Sequence, residues 1–511
     1  MESFESQVTT KTSDTLRVVW RIGEIARMRR EAKRLAATLP RYEGDVPLPD
    51  AATIFQWIAD LCATPHRRPG TPEGHRAEAW VADQLRALGL DNVAVEPIPI
   101  TVWGADRWSL TVGGETIPSF YVVNTAFTGP DGETAPLVYV GTGTDRDFAG
   151  VDVRNKIAVA DVPFPYLPVG FLMRVLRAQY CLSDPDRSIG LRSGQYLNFA
   201  RQNFLGGDDE NSAPARDVYW QCRHRGARAI CLILRDQPGG TNSHYGPYDG
   251  IMKPMPGLWI GKQDGHHLRW AARAGIDATL RLEGTMEKGV THNVWGVLPG
   301  CSDDVILVTS HHDSPFQGAT EDGSGAAQVL GQAWAWSHVP REHRPKTLVF
   351  VLDAGHFYGS IGAERFAAAH TDLLQRTCVV ITLEHLAAKE VEGTESGYAP
   401  TGRLAFTVMF TTPEPRNIAV VRRALETKPV PHVAAIPADF FGPGPTSDAL
   451  KYMLAGNMPV VSWIGCPYYL LDEHDTLDKI DQNQLRPICE TATELVKSYM
   501  ALPGQTNVLS G

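Results

Sequence analysis

The sequence predicts an α/β protein built on a mostly parallel, doubly wound sheet with helices on both faces. From about residue 292 onward, short apolar runs such as NVWGVLPG and DVILVTSHHD end in polar or glycine-rich turns. Helical stretches such as GSGAAQVLGQAWAWSH separate several of these runs. Strands that alternate with helices form parallel sheets, because each helix returns the chain to the same edge of the sheet.

Composition excludes several classes of protein. The net charge of −10 argues against a nucleic-acid partner, because such a surface needs a basic stripe. No run approaches the roughly 18 apolar residues of a membrane-spanning helix, so we expect no membrane span. The start MESFESQVTTKTSDTLR lacks the apolar core of a signal peptide, and the eight cysteines include no C-x-x-C pair. We therefore expect a cytoplasmic protein with reduced thiols.

Changes in sequence character divide the 511 residues into four segments. Residues 1–45 form an N-terminal helical arm, and 46–115 form the first part of a catalytic-type α/β domain. Residues 116–285 alternate strand-like runs with long irregular stretches, which indicates an inserted domain of β-rich character. Residues 286–511 complete the α/β domain.

The N-terminal arm has a helical pattern over residues 14–39. Two roles remain open for it. The arm either packs on a partner subunit and makes a homo-oligomer, or it covers its own domain. Its apolar stripe consists of Leu16, Val19, Ile22, Ile25 and Ala26.

Side chains that can bind metal ions follow four of the predicted strands. They are His311, His312 and Asp313 after residues 304–310, Glu321 and Asp322 in the next loop, Asp353 and His356 after 347–352, Glu384 and His385 after 378–383, and Asp472, Glu473 and His474 after 459–464. Ligands bind beyond the carboxyl ends of the strands in such sheets. Because imidazole and carboxylate groups are ligands of Zn, Mn and Fe, the pattern predicts a divalent metal site.

Not every one of these histidines faces the same way. Successive side chains of a strand point to opposite faces, so His312 is expected to point away from a site that contains His311. The same question applies to His385 relative to Glu384.

Several stretches together resemble peptidase family M28, the group of zinc aminopeptidases and glutamate carboxypeptidases. They are HRRPGTPEGHRAEAWVADQLRALGL, THNVWGVLPG, TSHHDS with GATEDGSGAAQVL, TLVFVLDAGHFYGSIGAERF, TSDALKYMLAGNMPVVSWIG and HDTLDKID. The resemblance covers roughly residues 50–500. Within it, residues 116–285 resemble an inserted protease-associated (PA) domain.

The resemblance implies one metal site of the family's usual two. Its ligands fall on His311, Glu321 and Glu384, and Asp313 falls on the residue that orients the first histidine. In the family the second and third of these ligands are aspartates. The longer glutamates here leave room for a slightly displaced ion.

The second metal site of the family is not retained in this resemblance. Its two ligand positions fall on Phe357 and Leu471, which cannot bind a cation, and the general-base glutamate falls on His356. The implied centre therefore holds one divalent ion, Zn, Mn or Fe, with His356, His385 or water completing the site. Histidine suits proton transfer near neutral pH because its ordinary pKa is about 6.5.

The predicted function is a single-metal hydrolase that acts on an amide or related C–N bond of a small molecule or peptide, with His356 as the base. Two alternatives stay open. The chain could be a catalytically inactive relative that serves binding or assembly. It could also be a two-metal aminopeptidase in which His474 rebuilds the second site.

Overall fold

The computed structural model of the chain describes residues 21–164, 166–196, 217–395, 397–456 and 458–504. The strands are β1 Asp91–Val112, β2 Glu115–Ile117, β3 Phe120–Tyr121, β4 Glu133–Tyr139, β5 Ile157–Val162, β6 Tyr166–Leu167, β7 Cys181–Ser183, β8 Gln195–Tyr196, β9 Ala229–Leu234, β10 Gly257–Ile260, β11 Asp277–Leu298, β12 Ser302–His311, β13 Lys346–Asp353, β14 Thr377–Glu384, β15 Lys389–Gly393, β16 Tyr398–Leu404, β17 Thr407–Thr411, β18 Val433–Pro437 and β19 Val460–Gly465.

The helices alternate with these strands along much of the chain. They are α1 over residues 21–36, α2 Ala51–Cys62, α3 Pro72–Ala87, α4 Asp145–Phe148, α5 Val169–Arg174, α6 Val218–His224, α7 Lys262–Ala274, α8 Gly325–Ser337, α9 Ile361–Ala369, α10 Thr371–Gln375, α11 Pro415–Thr427, α12 Ala449–Gly456 and α13 Gln482–Ala501. Within the described ranges, no helix combines the length and the apolar character needed to span a bilayer.

One large sheet runs through the molecule in the order β3-β10-β9-β5-β4-β11-β13-β12-β14-β19-β17-β18-β7. Strands β13, β12, β14 and β19 are parallel neighbours, so their carboxyl ends meet at one edge of the sheet. Antiparallel pairs flank this parallel centre, between β11 and β13 and between β17 and β19. The predicted α/β class with a mostly parallel central sheet is confirmed.

Helices cover both faces of the parallel centre, as the alternation along β12 shows. Ile306 and Val308 point into the larger hydrophobic core, where helices α2, α8 and α13 pack. Val305 and Leu307 point into a second core, to which α9 and α12 contribute. All four side chains are buried, and each contributes roughly 1.5–3 kcal/mol by leaving water. Strand β12 is therefore held rigidly between two layers of helices.

The predicted turn HRRPGTPEGH does separate two helices, and both begin at capped residues. Asp50 accepts a hydrogen bond from the backbone N–H of Thr53 at the start of α2. Thr71 caps α3 by accepting from the N–H of Gly74, and a proline occupies the first turn. The caps fix the turn between the helices, and the turn brings Arg67 into the interior.

The region predicted as an insert has a hydrophobic core of its own. Strands β4, β5, β9 and β10 pair in parallel there, and this core includes Trp220, Leu232 and Trp259. Strand β11 is shared with the rest of the sheet. Strand β7 of the same region pairs with β18 at the opposite end of the sheet. The boundaries 116 and 285 and the PA-like character stay predictions.

Helix α1 packs on its own chain over the residues that the structure describes. Ile25, Met28 and Ala32 are buried in the larger core, and Arg29 donates hydrogen bonds to the carbonyls of Arg177 and Gln179. This favours the role of covering its own domain. Leu16 and Val19 of the predicted stripe lie outside the described residues, and self-association through the arm stays a prediction.

Candidate metal centre

The carboxyl ends of the parallel strands carry the predicted polar side chains. His311 is the last residue of β12, Asp353 of β13 and Glu384 of β14. All three side chains are fully buried. Buried groups of this kind need partners, because an unpaired polar group in the interior is costly.

Arg67 holds the loop after β12 in place through hydrogen bonds to its backbone. This guanidinium is fully buried and donates to the carbonyls of His312 at 2.8 Å, Gln317 at 2.8 Å and Gly318 at 2.7 Å. The rigid fork of arginine satisfies several carbonyls of one loop at once. These hydrogen bonds fix the conformation of the loop that leads from β12 to Glu321.

Asp475 and Asp322 fix the segment that carries Glu321. The Asp475 carboxylate accepts from the backbone N–H of Thr320 at 2.9 Å and of Glu321 at 2.8 Å. Asp322 accepts from the backbone N–H of His385 at 2.9 Å and from the hydroxyl of Ser310. Asp322 thereby links β12, the segment after β14 and the loop between β12 and α8, so Glu321 is held between two strand ends.

Two histidine rings are oriented by backbone carbonyls. His311 Nδ1 lies 3.0 Å from the carbonyl oxygen of Asp313, and His385 Nδ1 lies 3.0 Å from that of Gly465. A carbonyl only accepts, so each Nδ1 carries the proton. Each Nε2 is left free to act as a ligand.

His356 is oriented by a carboxylate instead. Its Nδ1 donates to Asp448 Oδ1 at 2.8 Å. Its ring stacks on that of His311 with 4.1 Å between centroids, and Tyr248 stacks on it at 5.4 Å. The Nε2 atom of a third histidine is therefore also directed by a fixed partner.

The three Nε2 atoms surround the carboxylate of Glu321. His385 Nε2 lies 3.0 Å from Glu321 Oε2, and His311 Nε2 lies 3.4 Å from Oε1. His356 Nε2 is 3.9 Å from the same Oε1. We call His311, Glu321, His356, Glu384 and His385 the centre.

The unsatisfied atoms of the centre fit a metal ion. His311 Nε2, Glu321 Oε1 and Glu384 Oε2 are buried without a hydrogen-bond partner, and His385 Nε2 has only the Glu321 carboxylate beside it. The ligand atoms of His311, Glu384 and His385 lie within 4.8 Å of one another, and so do those of His311, Glu321 and His356. Buried donors and acceptors that face one another without pairing are what a divalent cation with nitrogen and oxygen ligands would satisfy.

The charges of the centre are strongly coupled. Burial alone would raise the pKa of Glu321, but His385 and His311 outweigh it and lower the pKa to about 2. Burial alone would lower the pKa of His385, but Glu321 raises it to about 10. Burial and then Asp448 raise the pKa of Glu384 to about 7. Without a metal ion, protons on the rings therefore balance the carboxylates.

The remaining predicted residues lie in three different places. The Asp313 carboxylate is 3.7 Å from His311 Nδ1, so the Asp313 backbone carbonyl orients the ring at closer range. His312 points away from the centre, and its Nε2 lies 3.0 Å from the carbonyl oxygen of His292. His474 bonds to Asp472 and belongs to none of the ligand groups found among the described residues.

The two positions that the resemblance assigns to a second metal site carry apolar side chains and have apolar surroundings. Phe357 and Leu471 are buried in the core of the predicted insert. Phe357 also packs edge-on against Tyr245, with 5.3 Å between ring centroids. Neither side chain therefore offers an atom that could bind a cation.

Four residues support the centre, and of these the sequence analysis named only Asp322 as a candidate. Arg67, Asp322, Asp448 and Asp475 each hold a ligand or its backbone through hydrogen bonds. All four lie inside motifs that carried the resemblance, in HRRPG, GATEDGSG, TSDAL and HDTLDKID. Their place in these motifs was the available signal.

Comparison with known proteins matches the C-terminal part of the chain to a family model. Residues 293–496 match the model of peptidase family M28. Over these residues the chain is M28-like. No curated protein matches the chain.

Solved M28-like structures extend the similarity of fold to most of the chain. A zinc aminopeptidase from Bacillus subtilis is 19% identical with a TM-score of 0.63, and the match covers 89% of this chain and 95% of that one. A peptidase M28 precursor from Shewanella amazonensis is 18% identical with a TM-score of 0.64, covering 94% and 98%. An aminopeptidase from Aneurinibacillus sp. strain AM-1 is 22% identical with a TM-score of 0.58, covering 89% and 94%. At these identities the similarity establishes the fold.

Proposed function

We propose that the chain is a metal-dependent hydrolase of the peptidase type, which cleaves amide bonds of peptides or small molecules. The observation that carries the proposal is the convergence of unpartnered Nε2 and carboxylate oxygen atoms in the buried centre. The M28 family match and the zinc aminopeptidases of the same fold support the same reaction class.

The proposed ligands of one divalent ion are His311, Glu321 and Glu384, with His385 as a further candidate. The zinc aminopeptidase relatives favour Zn, and Mn or Fe suits the same nitrogen and oxygen ligands. Such an ion would polarise the amide carbonyl and lower the pKa of bound water. The protein's part is to hold the ligand atoms in place, which the carbonyls of Asp313 and Gly465 support.

We propose His356 as the group that moves the proton. Hydrolysis joins the oxygen of water to the carbonyl carbon and breaks the C–N bond, and the departing nitrogen gains a proton. His356 Nε2 faces Glu321, while Nδ1 is held by Asp448. Burial alone would lower the pKa of His356, but Asp448 and Glu321 outweigh it and hold the pKa well above its usual value. A ring held this way carries a proton that it can deliver to the departing nitrogen, and it can take one from water once a bound cation beside Glu321 has displaced that proton.

The apolar side chains of Phe357 and Leu471 support a single ion rather than two. Both belong to one hydrophobic cluster and present hydrocarbon, so a second cation would lack these two ligands. The bridging position of the family would then serve one ion only, through Glu321.

The test is metal content together with hydrolysis. The purified protein is expected to hold about one divalent ion per chain, to lose amide hydrolysis on chelation and to regain it with one equivalent of Zn, Mn or Fe. Protein that takes up no metal would instead support the inactive binding or assembly alternative. Two ions per chain would support the two-metal aminopeptidase, and a His474→Ala variant that loses one of them would identify the rebuilt site.

A further inference from the structure

A cavity opens directly beside the centre. Glu321, His356 and His385 form one end of it. Small-molecule sites usually combine apolar walls with a few convergent polar groups, as this cavity does. The cavity is therefore the place where a substrate of the centre would extend.

The walls of the cavity come from strands β17, β18 and β19 of the large sheet and from the short helix α5 of the predicted insert. They include Val408 and Phe410 of β17, Ile436 of β18, Ile464 of β19, and Leu172 and Met173 of α5. These residues belong to a separate hydrophobic cluster that spans β17, β18, β19 and α5. Helix α5 thus closes the cavity with aliphatic side chains.

Next to the centre the cavity is apolar too. Leu470 and Leu471 line it there, and Leu471 occupies one of the two positions that the resemblance assigns to a second metal. A substrate group that enters past the centre therefore meets mostly hydrocarbon, and the polar side chains of the wall outside the centre are the uncharged Tyr248, Thr446 and Cys466.

The charged side chains that line the cavity are those of the centre itself. Glu321 faces His385 and is a proposed ligand of the metal ion, and His356 is engaged by Asp448. An ammonium group in this cavity would lose its water without gaining a carboxylate of its own, and burying an unpaired charge is strongly unfavourable.

We infer that the cavity binds the uncharged, apolar acyl group of the substrate, so that preferred substrates carry no charged amine beside the cleaved amide bond. The inference rests on the proposed function and narrows its substrate class. In the reaction, water adds its oxygen to the acyl carbon, the C–N bond breaks, and the products are the fatty or aromatic carboxylic acid and the free amine.

A matched pair of substrates tests the inference. Hexanoyl 4-nitroanilide and norleucine 4-nitroanilide differ only in the ammonium group next to the cleaved bond. The metal-loaded protein is expected to favour the hexanoyl compound in kcat/KM by about 100-fold, given the cost of burying an unpaired charge. From butanoyl to hexanoyl, each methylene should raise kcat/KM about fourfold. Equal or better cleavage of the norleucine compound would overturn the inference while leaving the proposed hydrolase intact.

A substitution in the wall provides the control. Val408→Asp places a carboxylate in the cavity and should reduce the hexanoyl preference about tenfold or more, whereas Val408→Asn has nearly the same shape and should leave the ratio unchanged. Leu172→Asp and Leu172→Asn repeat the comparison on α5 if the first pair fails to fold. A ratio that neither carboxylate changes would contradict the assignment of this cavity.

Binding separates the two proposals if neither anilide is cleaved. Calorimetry with the metal-loaded protein then compares the affinities of the same two compounds. Tighter binding of the hexanoyl compound would support the cavity while contradicting the hydrolase, and equal affinities would overturn both.

Discussion

Among the described residues, two clusters of histidine and glutamate have ligand spacing, and they differ in how their atoms are hydrogen-bonded. In the centre, His311 Nε2 and Glu321 Oε1 are buried without a hydrogen-bond partner. In the second cluster, which we call the outer cluster, Glu78 accepts from His75 at 2.8 Å and from His292 at 2.7 Å. Both sets satisfy the distance criterion for a metal site.

The two clusters differ in which of their polar atoms have hydrogen-bond partners. The other oxygen of Glu78 accepts from the Thr291 hydroxyl at 2.7 Å and from the backbone N–H of His292 at 3.0 Å. The outer cluster is complete without an ion and ties helix α3 to strand β11. In the centre each Nδ1 is already engaged and each Nε2 faces inward. Unsatisfied buried atoms, rather than ligand spacing alone, therefore distinguish the proposed metal site.

The sharpest test of this comparison removes one histidine from each cluster. His311→Ala should reduce the metal content from about one ion per chain to near zero and lower kcat/KM by roughly 1,000-fold or more, since it removes the ion that supplies the electrostatic stabilisation. His292→Ala, the matched control, should leave both unchanged. Elemental analysis and amide hydrolysis measure the two effects. Loss of metal from the outer-cluster variant would break the comparison.

A substitution of His356 separates the loss of proton transfer from the loss of metal binding, and its effect on turnover is the next largest expected. His356→Ala should lower kcat by about 100-fold or more, because general acid–base catalysis contributes about that much. Metal content should persist, since His311, Glu321, Glu384 and His385 remain. Asp448→Asn should give a smaller loss of kcat, because Asp448 only orients the ring of His356 and the ring itself remains in this variant. A variant of His356 that also loses its metal would make this residue a ligand.

Proton release on metal binding sharpens the comparison further. Burial and His356 would lower the pKa of His311, but Asp313, Asp322 and Glu321 outweigh them and raise it to about 9. The pKa of His385 is raised to about 10. Both rings must lose a proton to bind a cation, so metal affinity should rise about tenfold to 100-fold per pH unit below pH 9.

Calorimetry in buffers with different heats of ionisation counts the protons released by that binding. One to two protons per ion are expected at pH 7 if His311 and His385 are ligands. Binding that releases no protons and shows no pH dependence would contradict their role. The His292→Ala variant should release the same number as the parent protein.

The sequence predicted the strand ends well, because apolar runs of five to eight residues bounded by polar turns are a local signal. His311 and Glu384 lie at the last residues of β12 and β14, within one residue of the expected ends. Orientation could not be predicted in the same way. The carbonyls of Asp313 and Gly465 hold two of the rings, and a carbonyl is present at every residue whatever its side chain.

Long-range partners were equally hidden in the sequence. Asp448 follows His356 by 92 residues, and Glu78 precedes His292 by 214, so neither pair has a local pattern. Part of the outer cluster does have one, because His75 and Glu78 are three apart on a helix and share a face. Its third member requires the pairing of α3 with β11, which follows from the fold rather than from spacing.

The smallest expected effect concerns the stability that the outer cluster contributes. Burial alone would raise the pKa of Glu78, but His312 and the hydrogen bonds from His75 and Thr291 outweigh it and lower the pKa. A carboxyl whose pKa is lowered by folding stabilises the protein above its unfolded pKa, and this contribution is lost as the pH falls through the folded value. Glu78→Gln keeps the shape but weakens these hydrogen bonds. It should lower the free energy of unfolding by about 1–2 kcal/mol at pH 7.

Denaturant unfolding of the Glu78→Gln variant and the parent protein over a range of acidic pH values measures this effect. The difference between the two proteins should shrink as the pH falls, because the parent loses the charge that the variant never had. Metal content and amide hydrolysis should stay unchanged in the variant. A structural role limited to α3 and β11 predicts this separation, whereas loss of metal without loss of stability would make the outer cluster a ligand site and remove the distinction between the two clusters.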